Sequence, residues 1–411
     1  MGATLREKQR RIKMKDPAGT DPIERTATAK DRATVRFKQA DYDLSRLRPA
    51  ISGLLDRIPS LRIERGARVL IKPNFLAPAK PQRAMTTHPL VLRAVVDYVL
   101  AKGGHPLVAD SPGMGAFERL LREGGYLEAL AGLDVEVRPF RETVKVDIGE
   151  PFGRIDIARE AVASDVVINL PKLKTHSMML LTLGVKNLFG CIVGLTKPEW
   201  HMRSGVDRRL FARLLVQICR AVNPAATLVD GILGMEGHGP GRSGTPRFLG
   251  VLGAGGSAPA VDVTLCRFVG VRPEELPTHR AAVELGLLPE SISMEGDFSP
   301  VSAFNVPVLG PLTFGPPRFQ RLMRKHLVQR PVAKAGACRL CGECWRYCPA
   351  KAIRPSADIV QFNYDRCIRC YCCLEICPHG ALKAAETTTG RLARKLAGLR
   401  DRVAYKVGKP R

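Results

Sequence analysis

The sequence predicts an α/β protein: a mostly parallel sheet flanked by helices, followed by a small C-terminal α+β module. Three observations predict it. Apolar runs of strand length alternate with runs of helical period from residue 41 to 315, and that alternation places parallel strands under crossover helices. Polar and charged residues concentrate just past those apolar runs, where open α/β sheets bind ligands. Nine of the twelve cysteines fall between Cys338 and Cys377, so that stretch is a site and not a scatter. With 411 residues, 45% of them apolar and 25% charged, two or three domains with a sizeable core are expected. Collagen-like, mucin-like and wholly disordered readings are excluded.

In chain order, residues 1–40 read as a basic, flexible segment, with eleven basic and five acidic side chains in the first 38. ARVLIKPNF (67–75) is an apolar strand, and HPLVLRAVVDYVLAKGG (88–104) is a helix with a glycine stop. HPLVADSPG (105–113) is a second strand followed by a helix. DVVINLPKLKTH (165–176), ATLVDGILG (226–234) and FLGVLGAGG (248–256) repeat the strand pattern. Residues 316–335 form a basic linker or helix, 336–385 the cysteine module, and 386–411 a basic tail. Phe319, Leu322, Met323 and Leu327 share one helical face, as do Leu392, Leu396, Leu399 and Val403. Each helix is expected to dock on the protein's own core; contact with an anionic membrane surface or an acidic partner is the alternative.

The strand ends supply the candidate binding groups. Lys72 and Asn74 follow the first strand, Asp110 and Ser111 the second, and Lys172, Lys174 and His176 the third. Asp230 ends the fourth, before a glycine-rich loop that holds Glu236 and His238, and Lys186-Asn187 interrupts an apolar run. Several lysines facing carboxylates at one rim suit an anionic small molecule with acid–base groups nearby. Lys174, His176, Lys186, Asp230 and Glu236 are the candidate catalytic residues, and Lys72, Asn74, Asp110 and Lys172 the candidate binding residues. The alternative for Lys72, Asp110 and Asp230 is structural: they pair with one another or satisfy backbone at strand ends. Lys186 requires a partner, because an unpaired buried ammonium is expensive. His176, His201 and His238 are acid–base candidates and not metal ligands, since no ligand spacing joins them. The GAGGSAPAVD run (253–262) is a weak phosphate cradle, with neither a dinucleotide fingerprint nor a Walker lysine.

The cysteine module is a duplication. CRLCGECWRYCP places Cys338, Cys341, Cys344 and Cys348; CIRCYCCLEICP places Cys367, Cys370, Cys373 and Cys377 at a constant offset of 29 residues. Three thiolates at two-residue intervals on a tight loop hold three irons of a cubane, and the fourth reaches across to the other cluster. One [4Fe–4S] cluster then takes Cys338, Cys341, Cys344 and Cys377, and the second takes Cys367, Cys370, Cys373 and Cys348. Structural zinc uses two separated pairs of ligands and leaves the third cysteine of each motif unexplained. Cys372 is a spectator, and Cys191, Cys219 and Cys266 are buried packing residues.

This segment closely resembles the bacterial-type two-[4Fe–4S] ferredoxins, which implies one-electron transfer. It departs from free carriers in its surplus of Arg and Lys, which favours docking of an acidic carrier such as a ferredoxin or flavodoxin. KPNF, TTHP (86–89), DSPG, INLPKLKTH, LGVKNLFG, the DG…GHGP stretch and PAVD resemble the domain of unknown function numbered 362, whose members are often fused to such a module. By that resemblance Lys72, Asn74, Asp110, Lys172, Lys174, His176, Lys186, Asn187, Asp230, Glu236 and Asp262 sit at motif positions.

The expected function is therefore an iron–sulfur oxidoreductase relaying electrons to or from an anionic small molecule in the α/β domain. The alternatives are an electron-transfer subunit for a partner enzyme, or a ligand-binding protein with structural or sensing clusters. The net charge of +25 sits mostly in terminal segments and the linker without a reading module, so nucleic acid is not expected. No leader or membrane-spanning run is evident, and a reducing cytoplasm is expected.

Overall fold

A computed structural model describes residues 32–113, 115–194, 196–204, 207–309 and 316–392. One ten-stranded sheet organises the α/β domain. Its strands are β1 (Arg32–Gln39), β2 (Arg68–Pro73), β3 (His105–Asp110) and β4 (Glu136–Pro139), then, after the small hairpin of β5 (Thr143–Asp147) and β6 (Arg154–Ala158), β7 (Val166–Leu170). β8 (Lys172–His176), β9 (Leu180–Thr182), β10 (Ala226–Gly237), β11 (Gly244–Gly255) and β12 (Ser291–Gly296) complete the domain. The order is β12-β1-β11-β10-β7-β2-β3-β4. β10, β7, β2, β3 and β4 run parallel, while β11 is antiparallel to both neighbours. The sheet is thus mixed and mostly parallel, with helices on its faces.

Alternation along β2 shows why both faces are covered. Val69 and Ile71 enter one core with the helices Leu44–Leu55 and Pro89–Ala101, while Leu70 enters the other with Arg208–Val222. A strand buried on both faces reads as a continuous apolar run, as this one does. The helix Pro89–Ala101 starts where His88 accepts the Leu90 N–H and proline occupies the first turn. The helix Arg208–Val222 starts at an Asp207 cap and stops at Asn223 in the left-handed conformation.

Three expectations are corrected. The segment 32–39, assigned to a flexible basic tail, is strand β1, lying between β11 and β12. Its Val35 and Phe37 are buried, an alternation masked by the three basic residues Arg32, Arg36 and Lys38 in RATVRFKQ. Only the second half of the glycine-rich stretch after Asp230 is a loop: β10 runs on to Gly237, and residues 238–243 turn the chain back into β11. The cysteine module begins earlier than residue 336, because β13 (Arg330–Ala333) pairs with β16 (Leu382–Ala385). Between them, β14 (Ile353–Pro355) pairs with β15 (Val360–Phe362). Residues 1–31 and 393–411, including Leu396, Leu399 and Val403, lie outside the described residues.

Candidate iron–sulfur module and the basic site beneath it

The duplication is visible in backbone conformation. Leu340 and Arg369, Gly342 and Tyr371, and Lys351 and Gly380 all have positive φ, each pair 29 residues apart in the sequence. The four non-glycine residues among them, Leu340, Arg369, Tyr371 and Lys351, cost conformational energy when held left-handed, and such strain concentrates where loops wrap a functional group. The fourth cysteine of each motif accepts an equivalent hydrogen bond, Ala352 N–H to Cys348 Sγ and Ala381 N–H to Cys377 Sγ, both at 3.3 Å.

The thiols fall into two groups that cross the motifs. Cys338, Cys341, Cys344 and Cys377 line one pocket with Leu340, Trp345, Val360 and Leu382. Burial first, then Cys377, Cys341 and Cys338, pushes the Cys344 thiol up to about 12. Burial and then Cys370, Cys367 and Cys348, with Cys344 of the other group last, raise Cys373. All-thiol donor sets of this kind fit iron–sulfur clusters. Among the described residues, no three His, Cys, Asp or Glu converge on a single metal ion.

In the α/β domain the strand period decides which candidates share a face. Lys172, Lys174 and His176 alternate along β8 toward one side, and all three are buried. Lys172 Nζ lies 2.8 Å from Asp230 Oδ2. Asp230 also accepts from the Tyr42 hydroxyl at 3.0 Å and the His88 backbone N–H at 2.8 Å. Tyr42 stacks on His88 with ring centroids 3.5 Å apart, and burial lowers the His88 pKa to about 4, so the ring is neutral near pH 7. Lys72 Nζ pairs with Asp110 Oδ1 at 2.8 Å, and Asp110 accepts the N–H groups of Phe75 and Ser111. These two pairs are fully satisfied within the fold.

Asn74 donates to Asn187 Oδ1 and Asn187 to Asn169 Oδ1, each at 2.8 Å, tying the first strand end to the segment that carries Lys186. Asp262 accepts the N–H groups of Gly184 and Val185 at 2.7 and 3.2 Å and thereby caps the turn Gly184–Asn187. Burial pushes its carboxyl up to about 7. The Lys186 ammonium sits over the rings of Phe189 and Phe211, 5.1 and 5.8 Å from their centroids.

The cysteine module closes this face. His176 Nε2 stands 3.0 Å from Oε1 of Glu375, on the helix Cys372–Ile376 between Cys373 and Cys377. His176 Nδ1 accepts the N–H groups of Met178 and Met179, so its proton belongs on Nε2, facing Glu375. The pair lacks in-line hydrogen-bond geometry and leaves both atoms unsatisfied. Lys174, Lys186 and His201 also lie within electrostatic reach of Glu375. His176 and Lys186, with His201, hold the Glu375 carboxyl down to about 2 against the opposing effect of burial. Burial lowers His201 to about 3, and its Nδ1 has no hydrogen-bond partner. The hairpin tip makes close approach possible: a Cβ at Gly241 would lie 2.8 Å from the Leu374 carbonyl oxygen. Ser243 Oγ bonds the carbonyls of Gly380 and Leu382.

Glu236 is not brought into this group. It pairs with Arg247 at 3.0 Å and accepts the Asn305 N–H, because it alternates with Met235, which pairs with Lys174 across β10 and β8. His238 is exposed. The 253–262 run works as a helix start, with Ser257 accepting the Ala260 N–H, and Ser60 fills the space beside Gly256. Glu375 was missed by sequence reasoning, since no motif marks it; His201 was an acid–base candidate, but only the packing of the module on β8 brings the two within reach of each other.

Burial lowers Lys174 to about 7. An anion bound beside it should therefore bind more tightly below that pH and weaken as pH rises through it, since the depressed pKa removes the ammonium. Calorimetric titration with inorganic phosphate between pH 6 and 8 checks this as an order-of-magnitude loss; a Lys174→Met chain should show a flat profile.

A parallel-sheet domain joined to a module with two cysteine motifs is the architecture of an iron–sulfur electron-transfer protein, and residues 330–378 match the 4Fe-4S dicluster domain. Residues 69–267 match the model described as "Domain of unknown function (DUF362)". The chain belongs to that family. Across 304 residues it is 36% identical to the "Thylakoid-associated protein" of Synechocystis, covering 72% of this chain and 94% of that one. Across 62 residues it is 39% identical to the pyruvate synthase subunit PorD of Thermotoga maritima, covering 15% of this chain and 63% of that one. The lactate racemase apoprotein of Thermoanaerobacterium thermosaccharolyticum gives a TM-score of 0.36 at 13% identity, over 56% of this chain and 55% of that chain. No described helix is long and apolar enough to cross a membrane.

Proposed function

We propose that the chain is a cytoplasmic oxidoreductase whose C-terminal module exchanges electrons with an anionic small molecule held at Lys174, His176 and Lys186. The observation that carries this is the approach of His176 to Glu375, which sets the basic face of β8 against the helix between Cys373 and Cys377. Cys338, Cys341, Cys344 and Cys377 would hold one [4Fe–4S] cluster, and Cys348, Cys367, Cys370 and Cys373 the other. Such clusters, when bound, supply single electrons.

The chain's own residues divide the remaining work. Lys174 and Lys186 attract the anion, and their burial makes each charge count for more than it would in water. His176 holds a proton at Nε2 where a reduced product would need one. Glu375 occupies the anion's place in its absence and compensates the cations. Lys72, Asp110, Lys172 and Asp230 act as the frame that fixes these groups, and Glu236 takes no part. An acidic ferredoxin or flavodoxin is the expected electron carrier, drawn by the basic surface.

Native mass spectrometry of the anaerobically purified chain tests the reading. Two [4Fe–4S] masses and a retained small molecule support it. Lys174→Met and His176→Asn should keep both clusters and lose the retained mass; retention by both variants would sink the assignment. A second reading, an electron-transfer subunit without its own substrate, is favoured by the likeness to a pyruvate synthase subunit. Two clusters, no retained molecule and a co-purifying enzyme would establish that reading instead.

A further inference from the structure

The basic helix near residue 320 and the described start of the C-terminal basic segment are far apart in sequence and adjacent in space. The helix Pro317–His326 lies in a stretch, 317–335, with six basic and no acidic residues, and residues 390–411 carry eight basic and one acidic. Thr387 and Thr389 both donate through their hydroxyls to the His326 carbonyl, and a Cβ at Gly390 would lie 2.6 Å from the Leu327 carbonyl oxygen. Residues 387–390 therefore pack against the C-terminal end of the basic helix. The expectation that the helix docks wholly on the core holds for only part of its apolar face. Met323 is buried, whereas Phe319 is 45% exposed and Leu322 54% exposed. Leu392, at the start of the tail, is 59% exposed.

We propose that this face binds a bilayer surface bearing anionic lipid headgroups, with Phe319, Leu322 and Leu392 entering the headgroup layer. Arg318 and Arg321 adjoin the two helix side chains in sequence and are themselves exposed, so exposed cations and exposed bulky apolar groups lie on the same short helix. Such a mixture suits an interface that is charged outside and oily beneath. An acidic protein would pair the arginines but leave three large apolar side chains to find a complementary pocket. The helix is also tied to the cysteine module: Arg369, between Cys367 and Cys370, donates to the Arg324 carbonyl at 3.3 Å. Docking would hold the second motif close to the membrane surface. This inference is independent of any ligand bound at β8.

The test is flotation of the full chain, purified anaerobically, with vesicles of phosphatidylcholine alone or mixed with phosphatidylglycerol. Flotation is expected only with the mixed vesicles and should fall with added salt. The double variant F319S/L322S and the double variant R318E/R321E should each weaken it by about tenfold or more, with unchanged iron content. Equal flotation with neutral vesicles, no flotation with anionic ones, or full retention by both variants would overturn the proposal. So would binding of an acidic ferredoxin that depends on the same residues while the vesicles bind nothing.

Discussion

Cys377→Ser is expected to remove the iron held by the first motif and spare that held by the second. The variant should retain about four of roughly eight iron atoms per chain. The pairing of losses decides the assignment. Cys377→Ser combined with Cys341→Ser should lose no more iron than either change alone, because both serve the pocket that Cys338, Cys344, Trp345 and Val360 also line. Combined with Cys370→Ser it should leave almost none. Additivity between sites and its failure within one site make this cycle interpretable. If Cys377 and Cys370 proved non-additive instead, each motif would serve its own cluster and the crossed arrangement would be wrong. Iron analysis and the absorbance of the anaerobic chain provide the readout.

Asp110→Ala is expected to cost about 3–5 kcal/mol of stability, since it leaves the Lys72 ammonium buried and unpaired. The Lys72 side chain is 0% exposed and that of Asp110 3%, so water cannot take over the lost contact. Lys72→Met in the same chain should recover most of the loss, because removing both charges leaves no orphan. A loss below about 1 kcal/mol would place Lys72 in a solvated site and return Asp110 to the candidate binding groups. Gly190 belongs to the same prediction. A Cβ there would lie 2.2 Å from Asp110 Oδ1 and 2.5 Å from Lys72 Nζ, so Gly190→Ala should also destabilise. Thermal unfolding followed by circular dichroism measures all three.

The contrast between these ion pairs and the His176 group explains how much of the site sequence reasoning reached. A lysine after a strand looks the same whether it meets a carboxylate or a ligand. The difference lies in what the neighbouring strand presents. For Lys172 it is Asp230, directly opposite in the β8–β10 register, and past the irregularity beyond Gly231 it is Met235 that faces Lys174. That irregularity shifts the register so that one lysine is paired and the next is left to a backbone carbonyl, that of Met85. Nothing in GILGMEG announces it. Glu236 was misread for a related reason: as part of a loop it had no fixed direction, whereas on a strand it must face away from Met235 and from β8. The β1 segment was misread because its charged residues occupy the outward half of the alternation and dominate a count of charge.

What the sequence alone determined follows from covalent spacing and from period. Four cysteines on a short loop stay together whatever the rest of the chain does, and the 29-residue offset makes two such loops equivalent. The apolar runs at β2, β3, β7 and β10 define strands buried on both faces, and KLKTH commits two lysines and a histidine to one side. Only the tertiary structure decided that Glu375, some 200 residues away, faces His176, that Lys72 and Lys172 are already paired, and that residues 387–390 pack against the end of the basic helix. Those facts depend on how separate elements pack, and charge in a sequence carries no record of its partner. Local spacing survives in the chain itself; long-range electrostatic pairing exists only after burial has brought the groups together and removed the water between them.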